Sequence, residues 1–210
     1  MEFWRGRGVN SYTLVLASAS PRRLDLMRQI GVEPSLCLAA DLDEGPLARE
    51  VPRELARRLA RAKAFACLAP AQTHFPNDEL LVLAADTVVA VGRRILPKAE
   101  TLEQAEHCLT LLSGRPHRVY TGLCVRASDG TLRERLVETR VSFKRLSFEQ
   151  QQLYLASGEW QGKAGGYAIQ GRAAAFVSDL SGSYSSVVGL PLYETAQLLA
   201  GFGYKSMGAS

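Results

Sequence analysis

The sequence predicts a mixed α/β domain, and three observations lead there. Apolar residues recur with strand and helix periods in alternation along the chain, the pattern of an α/β or α+β fold. Two helix starts carry capping-box signatures, Thr101-x-x-Gln104 and Ser147-x-x-Gln150. Hydrophobic residues fill 47% and charged residues 22% of the 210 positions, the balance of a globular chain and not of a disordered one. A chain of that length is expected to form one domain whose core needs no disulfide or metal simply to fold.

The elements follow in order. Residues 1–12 read as a short tail without the long apolar stretch of a secretory signal. Residues 13–17 read as a buried strand. Ser20 is placed as an N-cap and Pro21 as the first residue of a helix, with Leu24, Met27 and Ile30 as its apolar stripe and Gly31 as its end. A second helix follows Pro52, with Leu55, Leu59, Ala62 and Ala66 on one face and Arg53, Arg57 and Arg61 solvated on the other. Lys63 falls at the edge of that stripe, and residues 70–78 read as a loop. Residues 80–91 are strand-like, interrupted only by Asp86-Thr87. A helix from the Thr101 cap runs to Ser113-Gly114. A hairpin about Asp129-Gly130 joins strands 117–126 and 131–145, with Val137, Thr139, Val141 and Phe143 facing inward. The Ser147 helix extends to Ser157. Residues 158–171 hold five glycines, so they read as a loop of unusual backbone freedom. A short strand at 176–180 and a last helix at 191–199, closed near Gly201, complete the order.

Composition narrows the function. No apolar stretch approaches the ~18 residues of a membrane span. The cysteines at 37, 67, 108 and 124 and the histidines at 74, 107 and 117 show no zinc-type spacing, and free thiols imply a reducing, cytoplasmic setting. A net charge of +4 suits an anionic partner or simply a basic protein. Nucleic acid is not the expected partner, because the basic residues of helix 53–63 have no interleaved aromatic platform.

Candidate chemistry sits at six places. Arg22 and Arg23 lie in the first turn of a helix, where like charge costs about 0.3–1 kcal/mol per residue. Together with Ser18 and the helix N–H groups they can bind phosphate, or they can point to water. Asp86 inside an apolar run is either paired or metal-bound, or else marks a bend with a wet side chain. Asp41-Leu42-Asp43-Glu44 offers hard oxygens for Mg²⁺, or is a surface turn. Lys98, alone in its loop, reads as solvated. Lys163 and Gln170 flank a glycine-rich stretch that can close on a ligand or remain a flexible surface loop. It matches neither the P-loop nor the Rossmann pattern. The polar run Ser181–Pro191 can present hydroxyls to a ligand, though on local grounds it reads as a turn and a helix start.

In this order the pieces resemble the Maf-like nucleoside triphosphate pyrophosphatases. The resemblance rests on Leu16-Ala17-Ser18-Ala19-Ser20-Pro21-Arg22-Arg23, on 58–64, on Ala85-Asp86-Thr87-Val88-Val89 and on Leu112-Ser113-Gly114-Arg115. Tyr120-Thr121-Gly122, 163–167, Ile169-Gln170-Gly171 and 188–192 complete it. It spans about Leu14 to Gly203, so it implies a tail at 1–12 and one catalytic domain at 13–205.

The resemblance implies a long twisted mixed sheet flanked by helices, with a cleft between two lobes. It implies hydrolysis of a nucleoside triphosphate to the monophosphate and pyrophosphate, with a divalent metal, Mg²⁺ or Mn²⁺, and a homodimer. Asp86 would be the catalytic carboxylate and Glu44 an acidic metal-site residue, the two together holding the metal. Lys63 would serve the catalytic centre, and Arg23, Lys98 and Lys163 the phosphates, with Ser18 at the phosphate end. Arg22, Thr87 and Gln170 resemble the branch acting on dTTP and UTP. The branch acting on 7-methyl-GTP typically has Trp, Gln and Glu there. Two alternatives accompany this reading: the same chemistry on modified pyrimidine triphosphates, or a non-catalytic nucleotide-binding regulator of cell division. Two positions depart from the family pattern. Pro97 precedes Lys98 where the family has glycine before and proline after, and Gly162 stands in place of an acidic residue before Lys163.

Overall fold

The computed structural model describes residues 12–204. The expected tail thus lies outside the described residues apart from Tyr12, whose ring packs edge-on against Phe202. At the centre is a mixed sheet built on two long antiparallel partners, β3 (Leu80–Val91) and β6 (Pro116–Ala127). On one side β3 pairs in parallel with β1 (Thr13–Leu16), which pairs in parallel with the short β2 (Leu36–Cys37). On the other, β6 forms the predicted hairpin with β7 (Leu132–Phe143), and β9 (Val177–Ser181) closes that edge. The short β4 (Arg94–Leu96) folds back on β3. A separate two-stranded ribbon joins β5 (Lys98–Ala99) to β8 (Lys163–Ala164).

Helices cover both faces of β3, which is why its sequence is apolar almost throughout. Val82 and Ala84 pack with Ala60, Ala64 and Cys67 of α2 (Pro52–His74). Leu81, Leu83 and Ala85 pack with Leu26 and Met27 of α1 (Pro21–Gln29) and with Leu198 and Leu199 of α6 (Leu192–Gly201). Further along, Val89 joins the core formed by α3 (Leu102–Leu112) and α4 (Phe148–Ala156). Strand parity then fixes two neighbours: Asp86 faces α2, and Thr87 faces the short α5 (Tyr184–Val188).

Four expectations need correction. The sheet does not break at Asp86-Thr87, because the register with β6 is continuous from Leu81 to Ala90. Helix α2 does not stop at Pro70 but runs on to His74. The carbonyl that proline leaves without a donor belongs to Ala66, which is exposed like Pro70 itself, so water can serve it. The buried face of α2 is rotated from the expected stripe. Ala56, Ala60, Ala64 and Cys67 are buried while Ala66 is exposed, and Lys63 lies within the buried face and not at its edge. Alanines around the whole helix blur the 3.6-residue signal there. Finally, residues 184–188 are a helix of their own, capped by the Ser183 hydroxyl, which accepts from Ser186 N at 3.2 Å. Both predicted capping boxes form as expected. Ser20 occupies the N-cap position but makes no side-chain cap.

Candidate active site

Beyond the end of β1 the chain enters a cavity of about 280 Å³. Its walls bring together Ser18, Arg22, Arg23, Glu44, Lys63, Thr87, Lys98, Lys163 and Gln170. These residues come from the β1–α1 turn, the first turn of α1, the segment before α2, α2 itself, β3 and the β5–β8 ribbon with the loop that follows it.

The centre is an ion cluster. Lys63 Nζ donates to Asp86 Oδ1 at 2.6 Å and lies 2.5 Å from Glu44 Oε1. Lys98 Nζ donates to the other Glu44 oxygen, Oε2. Asp86 and Lys63 are 2% and 6% exposed, so each charge depends on the other for compensation. Burial pushes the Glu44 carboxyl up, but hydrogen bonds and charge from Lys63 and Lys98 outweigh it and hold the group at about 2. Gly122 lets α2 approach this closely. It pairs with Asp86 in the register, and a Cβ there would overlap the Ala56 carbonyl of α2. Asp86 lines a second cavity of about 370 Å³, walled also by Glu44, Thr87 and Lys98. The cluster is therefore the partition between two cavities.

Of the acidic run only Glu44 reaches the cluster. Asp41 and Asp43 are exposed, and Asp43 Oδ1 accepts from Gly45 N at 2.8 Å. Among the described residues no group of three or more His, Cys, Asp or Glu side chains converges. Two carboxylates at a phosphate-sized cleft still fit a hard dication, which takes one or two carboxylates and fills its shell with phosphate oxygens and water. The four cysteines are free, and no helix among the described residues is long and apolar enough to cross a membrane.

The cations have distinct settings. Arg23 Nε donates to the Gly189 carbonyl at 2.9 Å and Nη1 to Ser18 Oγ at 3.2 Å. Burial lowers its pKa, Asp86 and Glu44 raise it, and Arg22 lowers it. Ser18 Oγ also accepts from Ser20 N at 3.1 Å, so this hydroxyl ties Arg23 to the turn. The Arg22 side chain makes no hydrogen bond or ion pair with protein among the described residues. Lys163 Nζ donates to the Gln161 carbonyl at 2.8 Å, and its pKa is lowered by burial and by the charge of Arg22, against a smaller opposing effect of Glu159. Two neighbouring cations with no salt bridge among the described residues can receive an anion. Lys98, read from sequence as solvated when taken alone, is instead bound to Glu44 despite the displaced proline. Gly162 adopts φ +63°, and its N–H donates to the Ala99 carbonyl at 2.8 Å, so glycine at this position closes the ribbon.

Thr87 is set by two residues whose role the sequence did not reveal. Thr121 Oγ1 donates to the Ser186 carbonyl at 2.9 Å, which uses its one proton. The 3.0 Å contact between Thr87 and Thr121 therefore has Thr87 as donor. Only the lone pairs of Thr87 then remain for the cleft. Gln170 is exposed at the rim, and Glu159 braces the turn after it by accepting from Arg172 N at 2.7 Å. A Cβ at Gly171 would overlap that carboxylate. Tyr167 forms a wall, its hydroxyl 2.8 Å from His117 Nε2 and its ring edge-on to Phe143.

A family model described as Maf-like protein matches residues 13–202. A protein of Mesorhizobium japonicum is 61% identical over 192 residues, covering 91% of this chain and 92% of its own length. One from Chelativorans is 59% identical over 193 residues, covering 92% of each chain. One from Caulobacter vibrioides is 60% identical over 192 residues, covering 91% of this chain and 96% of its own. All three are named dTTP/UTP pyrophosphatase. With its ion cluster, its cationic cleft and a family match over nearly its whole length, this chain belongs to the Maf-like family.

Proposed function

We propose that this protein hydrolyses dTTP and UTP to the monophosphate and pyrophosphate with the help of a divalent cation. The observation that carries the reading is the Glu44–Lys63–Asp86 cluster beside a cavity whose walls hold five cationic side chains against one carboxylate, Glu44. That surplus suits a polyanion. The names of the relatives at about 60% identity supply the substrate, and Arg22, Thr87 and Gln170 all face the same cavity.

In the reaction a water oxygen forms a bond to the α-phosphorus, and the bond from that phosphorus to the bridging oxygen breaks. Pyrophosphate leaves with the electron pair. Asp86 takes the proton from the water, and Lys63 bonds its carboxylate beside Glu44. Arg22, Arg23 and Lys163 meet the charge that develops on the leaving group. Glu44 and Asp86 are the residues that would hold the cation. When bound, a dication neutralises phosphate charge and acidifies water. Thr87, as an acceptor, suits the N3–H of uracil or thymine, and the Gln170 amide offers both donor and acceptor to the base carbonyls and ring N–H.

The test is pyrophosphate release from dTTP, UTP, CTP, GTP and 5-substituted uridine triphosphates with Mg²⁺, with Mn²⁺ and with excess chelator. Turnover of dTTP and UTP above CTP and GTP, lost in chelator while the circular dichroism spectrum stays folded, is the expected result. Equal turnover of all bases would remove the specificity, and full activity in chelator would remove the cation.

A further inference from the structure

Between the end of β2 and the start of α2 the chain runs through residues 38–51 without a helix or strand. A stretch of that length is long for a compact domain. It nevertheless delivers Glu44 to Lys63 within hydrogen-bonding distance. Apart from the two ion pairs of Glu44 itself, every hydrogen bond that ties residues 39–50 to the rest of the described protein goes to one side chain, Arg58.

Arg58 grips the segment at two points. Its Nε and Nη2 donate to the two Glu50 oxygens at 2.7 and 2.9 Å, a forked pair. Nη2 also donates to the carbonyl of Gly45, the residue next to Glu44, at 2.8 Å. The Glu50 side chain is only 8% exposed, and its Oε2 accepts from Leu47 N at 2.8 Å as well. Between them Arg49 sits at φ +62°, a left-handed conformation that an L-residue keeps only where its surroundings hold it. Glu50 thus closes a strained turn, and Arg58 fastens that turn to α2. Lys63 lies on the same helix, so one rigid element sets both the lysine and the segment that brings Glu44 to it.

We propose that Arg58 is a positioning residue, which through Glu50 and the Gly45 carbonyl holds the Glu44 carboxylate in place over Lys63. The inference rests on the reading that Glu44 belongs to the catalytic centre. A lysine cannot make the fork and the carbonyl bond together, so Arg58→Lys should rescue only in part.

The experiment is a cycle of Arg58→Met, Glu44→Gln and the double variant, with Arg58→Lys and Glu50→Gln alongside. It is assayed for dTTP turnover below the melting temperature of every variant. Arg58→Met should lower kcat about 10-fold or more while KM moves far less, because the fault lies in geometry at the centre. Arg58→Lys should fall between it and the unmodified protein. Adding Arg58→Met to Glu44→Gln should cost nothing further, since the residue acts through Glu44. Amide exchange should quicken at residues 45–50 and stay unchanged in β3. If Arg58→Met does not fold, Glu50→Gln carries the same expectations with a smaller effect.

Unchanged kcat, unchanged exchange at 45–50, or losses that multiply in the double variant would each overturn the proposal. If Glu44→Gln alone turns over normally, the catalytic reading of Glu44 fails and the proposal fails with it. If Glu44→Gln is slow and Arg58→Met is not, only the positioning role fails.

Discussion

Lys63 Nζ donates to Asp86 Oδ1 across 2.6 Å, with both side chains shut away from water. Such a pair holds two opposite demands. It fixes the Asp86 carboxylate in one place, and it leaves a bare charge when either partner is removed. The two partners are not equivalent, because Lys63 also serves Glu44.

Asp86→Asn should therefore cut kcat at least ~100-fold, the low end for loss of a general base, with the fold retained because Glu44 still pairs Lys63. Lys63→Met should lose activity too, and should also destabilise the protein by about 3–5 kcal/mol, since two carboxylates lose their common cation. Urea unfolding with a turnover assay checks both. Normal turnover in Asp86→Asn would reject it as the central group, and equal stability of the two variants would reject the asymmetry.

Thr121→Val removes the hydroxyl that fixes the polarity of Thr87. Thr87 is then free to turn its proton into the cleft, and an acceptor for ring N–H becomes a donor. The preference for UTP over CTP, as a ratio of kcat/KM values, should shrink about 10-fold, the value of one mispaired polar group. Thr121→Ser, which keeps the hydroxyl, should retain the preference. An unchanged ratio in Thr121→Val would show that Thr87 does not read the base.

Gln170→Glu exchanges a group that can donate for one that only accepts when ionised. At the rim of the cleft it should lower kcat/KM for dTTP and UTP by about 10-fold or more, consistent with one lost pairing. Inhibition by free pyrophosphate should change little, because the phosphate contacts remain. Equal losses on dTTP, UTP, CTP and GTP would assign Gln170 to the loop and not to the base.

Burial pushes His117 from its ordinary 6.5 down to about 4. Unfolded, the imidazole takes a proton near pH 6.5, whereas folded it stays neutral until about pH 4. In that window the unfolded state binds more protons, so stability falls as pH falls. The melting temperature should therefore drop from pH 6.5 to 4, and His117→Gln should flatten the slope. Parallel curves for the two proteins would contradict this.

Much of the fold was legible because strong local signals agreed with the tertiary structure. The hairpin around Gly130, the two capping boxes and the extent of β3 follow from residues that act locally. Helix α2 was harder. Its buried face is mostly alanine, so periodicity could neither place the stripe nor show that Lys63 sits within it. Pro70 signalled a stop that solvent exposure made unnecessary. In the site, Asp86 stood out as a carboxylate in an apolar run, and its partner followed only from how α2 lies on Gly122. Arg58 and Thr121 fall in segments that the resemblance covers and Ser186 in the polar run 181–191, yet their contacts, like those of Glu50, form only in the folded chain and follow from no local pattern.

The central claim is that water attacks the α-phosphorus of the nucleotide at the Glu44–Lys63–Asp86 cluster. Hydrolysis of dTTP with Mg²⁺ in oxygen-18 water, followed by mass analysis of both products, tests it most directly. The account predicts dTMP carrying one heavy oxygen and pyrophosphate carrying none. Heavy oxygen in the pyrophosphate, or release of inorganic phosphate with dTDP, would contradict it.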